Sequence, residues 1–237
     1  MILTEVAKAA RKVLPLKKCG AVIVAAGSSS RMGGIDKVMA PLGGEPMILR
    51  TFQNCGAIKE IVIVTREDLI LPITELCGGF DKVRAVVRGG ASRQASVKLG
   101  LSAFTDKMEL AAVHDGARPL ISQTVIDRTV RAAHTYGGAA PVVPVKDTIK
   151  VYEGGFIAST PDRETLRAVQ TPQVFDLDLL RGALEKADKD GAAVTDDCSA
   201  VERLGLKIRL VEGEERNLKV TTPMDLKIAE MLLEEES

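Results

Sequence analysis

The chain has 237 residues, 46% of them hydrophobic, with 32 basic and 32 acidic side chains and a formal net charge of zero. That length suits one large domain or two small ones with a sizeable core, and the charge balance argues against nucleic acid or an anionic membrane as partner. Four scattered cysteines without a C-x-x-C and only two histidines make a structural zinc or a multi-histidine metal centre unexpected and suit reduced thiols in a cytoplasmic protein.

Residues 1–18, MILTEVAKAARKVLPLKK, lack the long apolar stretch of a signal peptide and predict a short amphipathic helical extension. No later run reaches the length of a membrane span. From residue 19 to 237 the pattern is that of a single domain, with no repeat and no low-complexity linker. AVIVAAG, EIVIVT, VRAVV, LAAVHDG and AAPVVPV are apolar runs of strand length separated by amphipathic stretches. This alternation predicts an α/β fold, a mainly parallel Rossmann-like sheet with helices on both faces. SRQASVKLGLSAF and SQTVIDRTVRAAHTYG open on Ser92 and Ser122, preferred N-caps, and the second stops at Gly137. DTIKVYEGGFIAST, residues 147–160, breaks the rhythm with two β-type runs around Glu153-Gly154-Gly155, a hairpin signal. It has no obvious sheet to join, which predicts a projecting arm. After it follow TPQVFD, helices over about 177–189 and 196–204, the strand LKIRLVEG, the extended NLKVTTP and a C-terminal helix.

In open parallel sheets ligands bind beyond the carboxyl ends of the strands, so chemistry is expected where the strand runs stop. The first run ends in AAGSSSRMGG, a glycine-serine loop of the kind whose backbone N–H groups suit anions. It is neither G-x-G-x-x-G, because the glycine after Gly27 is Gly33, nor a P-loop, because no Lys-Ser or Lys-Thr pair stands at the required place. Arg31, Lys37, Arg88, Arg93, Arg118 and Lys146 are cations at strand ends, with Asp115 and Asp147 the carboxylates. That composition reads as a polyanion site with an acid available for a metal ion or a ligand hydroxyl. Several residues keep a second reading. Arg31 also suits a solvated loop, Lys37 an ordinary surface, and Asp115 a turn cap or a partner for Arg118. His114 reads as structural, and Asp196-Asp197 reads as a helix N-cap more simply than as a metal pair. The apolar hairpin residues Ile149, Val151, Phe156 and Ile157 suit packing on their own domain or, preferably, on a partner.

AAGSSSRMGG, DKVMAPLGGEP, RGGASRQASV, VHDGARP, VKDTIK, the hairpin, TPDR, QTPQVF, TDDCSAVE and NLKVTTPMD occur in that order. From about residue 20 to the C-terminus the chain resembles the 2-C-methyl-D-erythritol 4-phosphate cytidylyltransferases of the non-mevalonate isoprenoid pathway. The AAG-x-x-x-R-M tag alone is shared with nucleotidyltransferases that build sugar nucleotides, whereas the ordered set is specific. The resemblance implies a fold of the nucleotide-diphospho-sugar transferase type, and a homodimer joined through arms at about residues 147–163. It also implies the substrates CTP and a polyol phosphate, and Mg²⁺ carried mainly on the CTP phosphates with Asp115 as an optional protein ligand. It further implies that Arg31, Lys37 and Lys219 act on the triphosphate and the transferring phosphorus. Ala25, Ala26 and Gly27 then surround the nucleotide, Gly90 and Ser96 meet the cytosine, and Asp115 and Gly116 lie near the ribose. Thr148, Arg163 and Thr171 match positions that hold the methylerythritol phosphate. A ribitol-phosphate cytidylyltransferase is the neighbouring alternative. An NAD-dependent dehydrogenase is disfavoured by the glycine spacing and by Thr65-Arg66 where an acidic residue is needed for the ribose.

Overall fold

The computed structural model describes residues 15–27, 36–53 and 55–235. The expected helical extension therefore falls outside the described residues up to position 14, and residues 15–18 carry no regular structure. The chain then runs as β1 (Cys19–Ala25), a 3₁₀ turn (Lys37–Met39), the short strands β2 (Pro41–Leu42) and β3 (Glu45–Pro46), α1 (Met47–Gln53), β4 (Glu60–Thr65), α2 (Ile70–Leu76), β5 (Val83–Arg88) and α3 (Arg93–Ser102). It continues with β6 (Leu110–Asp115), α4 (Gln123–Tyr136), β7 (Gly138–Pro144), the hairpin β8 (Val151–Glu153) and β9 (Phe156–Ser159), β10 (Arg167–Val169) and β11 (Gln173–Asp176). The last elements are α5 (Leu177–Lys189), α6 (Asp197–Glu202), β12 (Arg209–Glu212) and α7 (Pro223–Glu234).

Each expected apolar run is a strand of one eight-stranded sheet, in which β5, β4, β1 and β6 lie side by side and parallel. Because side chains alternate faces along a strand, β1 sends Ala21, Ile23 and Ala25 into a core with α1, α2 and α4, and Val22 into a second core with α3, α5 and α6. Burial on both faces is why these strands read as unbroken apolar runs. Serine caps set both helix starts: Ser92 accepts from Ala95 N, and Ser122 accepts from Val125 N. Gly137 closes α4 in the left-handed region, at φ 81°.

The sheet departs from a purely parallel one beyond β6. TPQVFD forms β11, which enters antiparallel between β6 and β7, and β10 then pairs antiparallel with the end of β7. The opposite edge of β7 takes β12 in parallel register. The carbonyls of Pro141 and Val142 serve the two edges, accepting from Gln170 N and Gly213 N respectively. The hairpin pairs only with itself, as a separate two-stranded sheet, and every residue of both strands is exposed. Its two-residue turn has Gly154 at φ 58° and Gly155 at φ 89°, the doubly left-handed turn that matches strand twist and favours glycine. Phe156 is 80% and Tyr152 75% exposed, so this apolar surface is not packed on its own domain. The helix expected over 196–204 is shorter, because Gly205, at φ 75°, follows a turn that ends it early.

Candidate nucleotide cleft

The carboxyl ends of β1, β5 and β6 open onto a cleft of about 310 Å³. Ala25, Ala26 and Gly27 form its floor from β1, Gly90, Ala91, Ser92 and Arg93 a wall after β5, and Asp115 and Ala117 a wall after β6. Lys37 enters from the 3₁₀ turn and Lys219 from the segment before α7. Small residues leave the backbone open to whatever enters. Gly116 does not line the cleft but supports it: a Cβ there lies 3.0 Å from the Ala25 Cβ and 3.2 Å from the Val24 carbonyl. Arg31 lies outside the described residues. The ends of the segment that carries it are nevertheless tied together by Arg66, which donates to the Gly27 carbonyl at 3.4 Å and pairs with Asp36 at 2.5 Å. Asp36 in turn caps the turn bearing Lys37.

Asp115 is the electrostatic centre. Lys219 Nζ lies 2.8 Å and Arg118 Nε 3.6 Å from its Oδ2, while Arg93 Nε lies 4.0 Å from Oδ1. Burial pushes the carboxyl up, but Lys219, Arg93 and Arg118 together outweigh that and hold it below the usual carboxylate value. The pairing with Arg118 and the exposure to the cleft coexist, so the two sequence readings of Asp115 are not exclusive. Behind it stands a chain of hydrogen bonds. Asp115 N donates to Thr171 Oγ1 at 3.1 Å, the Thr171 hydroxyl donates to His114 Nδ1 at 2.9 Å, and His114 Nε2 donates to the Arg118 carbonyl at 3.3 Å. Burial pushes His114 down to about 4, Asp115 opposes this and Arg118 adds to it, so the imidazole is neutral. It is a structural histidine, as expected.

Lys219 reaches the cleft because its segment is fastened two residues earlier. Asn217, fully buried, donates through Nδ2 to Gln170 Oε1 and to the Thr171 carbonyl, and its own carbonyl accepts from Arg118 Nη1 at 2.6 Å. Val220 N then bonds to the Ala117 carbonyl at 2.8 Å. The Ser96 hydroxyl, 2% exposed, accepts from Gly90 N and donates to the Ser92 carbonyl, shaping the wall after β5. Thr171 is buried under Asp115 rather than lining the cleft, and Thr148 and Arg163 lie at the base of the hairpin, where Arg163 donates to the Lys146 carbonyl at 3.0 Å. Of the other strand-end cations, Arg88 pairs with Glu67 and Lys146 with Glu215, away from the cleft. Sequence reasoning missed the clasping role of Arg66 and the roles of Gln170 and Asn217, and it preferred a helix N-cap to a metal pair for Asp196-Asp197. Asp196 is the cap, with Ser199 completing a capping box, whereas Asp197 pairs with Arg93 at 2.7 Å. Amides and a clasping arginine carry no spacing signal, because their partners come from distant segments.

A mostly parallel sheet with a small-residue floor and converging cations beyond its strand ends defines a nucleotidyltransferase-like α/β protein. The model of the family described as "IspD: 2-C-methyl-D-erythritol 4-phosphate cytidylyltransferase" matches residues 19–235. Relatives named 2-C-methyl-D-erythritol 4-phosphate cytidylyltransferase include one from Caldanaerobacter subterraneus, 44% identical over 90% of this chain and 97% of its own length, and one from Symbiobacterium thermophilum, 45% identical over 91% and 93%. Among solved structures, 4-diphosphocytidyl-2C-methyl-D-erythritol synthase from Anaerococcus prevotii has a TM-score of 0.83 at 31% identity, covering 92% of this chain and 96% of its own. The cytidylyltransferase from Thermus thermophilus has a TM-score of 0.76 at 33% identity, covering 92% and 99%. The chain belongs to the 2-C-methyl-D-erythritol 4-phosphate cytidylyltransferase family.

Proposed function

We propose that the cleft transfers the cytidylyl group of CTP to 2-C-methyl-D-erythritol 4-phosphate with release of pyrophosphate, the reaction of the family to which the chain belongs. The observation that carries the site assignment is the meeting of Lys37, Arg93, Asp115 and Lys219 around a floor of Ala25, Ala26 and Gly27. An oxygen of the methylerythritol phosphate attacks the α-phosphorus of CTP, and the bond from that phosphorus to the pyrophosphate oxygen breaks. Two polyanions must meet while a third departs, so positioned positive charge is the chief requirement and no protein nucleophile is needed. Lys219, Lys37 and Arg31 supply that charge on the triphosphate and the transferring phosphorus.

The backbone at Ala25–Gly27 receives the nucleotide, the Gly90 and Ser96 wall meets the cytosine, and Asp115 lies beside the ribose, with Gly116 supporting that wall by its close packing on Ala25. An Asp115 held ionised by its cations is a ready acceptor for a ribose hydroxyl. No general base is required, because a phosphate monoester is already anionic near neutral pH, and the neutral buried His114 fits this. Thr148, Arg163 and Thr171 are assigned to the polyol phosphate, Thr171 acting through the Asp115 backbone that it holds. The four free cysteines support a cytoplasmic setting, and no helix among the described residues is long and apolar enough to cross a membrane.

The residues fit a Mg²⁺ ion that arrives with the triphosphate. Among the described residues no three His, Cys, Asp or Glu side chains group as a metal cage. Asp115 is the carboxylate lining the cleft, and its Oδ1 is less engaged than the Oδ2 that Lys219 contacts. One carboxylate plus phosphate oxygens is an ordinary Mg²⁺ environment. Bound there, the ion neutralises charge on the phosphate oxygens.

The exposed face of the hairpin, with Tyr152, Phe156 and Ile157, supports a homodimer joined through the arms, which brings Thr148 and Arg163 toward a partner's cleft. Pyrophosphate release from CTP tests the reading, with methylerythritol phosphate against ribitol 5-phosphate and CTP against the other nucleoside triphosphates, with and without a chelator. The expected result is metal-dependent turnover with CTP and methylerythritol phosphate. Faster turnover with ribitol 5-phosphate overturns the assignment of the acceptor.

A further inference from the structure

Arg93 stands in the first turn of α3, directly after the Ser92 cap. The helix dipole favours anions there, so a cation at this place needs an anion to hold it. Asp197 is that anion: its Oδ2 accepts from Arg93 Nη2 at 2.7 Å, and its side chain is 1% exposed. The carboxylate is mounted on a fixed frame. Asp197 N and Cys198 N both donate to Gln173 Oε1 at 3.0 Å, and Gln173, at the start of β11, also donates to the capping carboxylate of Asp196.

This arrangement is costly for stability. The second oxygen of Asp197, Oδ1, is buried without a hydrogen-bond partner, and burial raises the Asp197 carboxyl against the pull of Arg93. A buried, half-satisfied ion pair contributes little to stability compared with an apolar pair of similar size. What the pair does achieve is geometric. One edge of the guanidinium is anchored on Asp197, while Nε lies 4.0 Å from Oδ1 of the cleft-lining Asp115, beyond hydrogen-bond length. Released from Asp197, Arg93 is free to close onto Asp115 and compete there with Lys219.

We propose that Asp197 is a positioning residue, which anchors the guanidinium of Arg93 at the cleft wall so that its remaining N–H edge meets the incoming nucleotide. The inference rests on reading the cleft as the CTP site. It is tested by CTP binding in calorimetry and by steady-state kinetics on Asp197→Asn, Arg93→Ala and the double variant. Asp197→Asn is expected to weaken CTP binding and raise KM for CTP about tenfold, the worth of one charge-assisted hydrogen bond. Turnover at saturating CTP stays within about twofold, since the loss is in ground-state binding. The double variant is expected to match Arg93→Ala alone, because Asp197 acts only through Arg93.

Unchanged CTP affinity in Asp197→Asn, or losses that multiply in the double variant, overturns the proposal. Should Asp197→Asn not fold, Arg93→Lys serves instead: its single ammonium cannot bond Asp197 and span to the cleft at once, so the same loss of CTP affinity is expected, and normal affinity overturns the proposal. A wild-type protein that binds CTP without transferring cytidylyl refutes the reaction and not this inference, because binding is measured separately.

Discussion

Lowering the pH should destabilise this protein measurably through one buried imidazole, His114. His114 is 3% exposed, accepts from Thr171 and donates to the Arg118 carbonyl, and burial pushes it from 6.5 down to about 4. The folded value lies below the unfolded one, so the unfolded state takes up the proton first. The contribution of His114 is therefore fully present above about pH 6.5 and is lost as pH falls toward about pH 4. At 1.36 kcal/mol per pKa unit the whole effect is about 3 kcal/mol, of which roughly 2 kcal/mol is gone by about pH 5. That is a large share of the stability of an ordinary domain. The assay is urea unfolding of the wild type and His114→Asn at several pH values between about 7 and about 4.5. Asparagine does not titrate, so the variant is less stable at neutral pH and the gap narrows on acidification, because only the wild type loses this contribution. Parallel stability curves for the two proteins would refute the reasoning. Asp115, also held below its usual value, adds a further loss at lower pH in both proteins and does not affect the comparison.

Lys219→Ala removes the cation 2.8 Å from Asp115 and should cost roughly 2–4 kcal/mol in the transition state, seen mainly in kcat; near-normal kcat with only a raised KM for CTP assigns Lys219 to ground-state binding instead. Ser96→Leu puts a bulky side chain into a wall position that is 2% exposed and should lower both CTP use and thermal stability by about 1–3 kcal/mol. Ser96→Ala, which costs the Gly90 amide its acceptor, should be milder, and a fully active Leu variant removes Ser96 from the site. Replacing residues 151–157 by a short glycine turn should leave CTP binding nearly unchanged, since both hairpin strands pair only with each other. Sedimentation should show a monomer, and methylerythritol phosphate affinity should collapse. A shortened protein that stays dimeric with normal acceptor binding disproves the role of the arm.

The local features were legible because their causes are local. The apolar runs of β1, β4 and β6 follow from burial on both faces, Ser92, Ser122 and Gly137 cap helices through atoms a few residues away, and Glu153-Gly154-Gly155 turns the hairpin through backbone geometry alone. The strand ends likewise pointed to the cleft, because a parallel sheet gathers them on one side. By contrast, β11 was hidden because four residues, Gln173–Asp176, are too few for a period, and their antiparallel pairing with β6 and β7 depends on the space between those strands.

What the chain determines by itself is thus the set of elements, their caps and the glycine-rich floor of the cleft, and the ordered motifs carry the family. What only the tertiary structure decides is which charge meets which. Arg93 and Arg88 look alike in sequence, one helix start and one strand end only a few residues apart. Yet Arg93 finds Asp197, 104 residues away, and faces the cleft, while Arg88 pairs with Glu67 outside it. Asp115 similarly becomes a buried, ionised centre only when Lys219 arrives on a segment fastened by Asn217 to Gln170 and Thr171. Helix caps, turns and apolar runs leave their signal in contiguous residues, whereas Coulomb energies depend on separation and burial in space, and those exist only once the sheet has brought distant segments together.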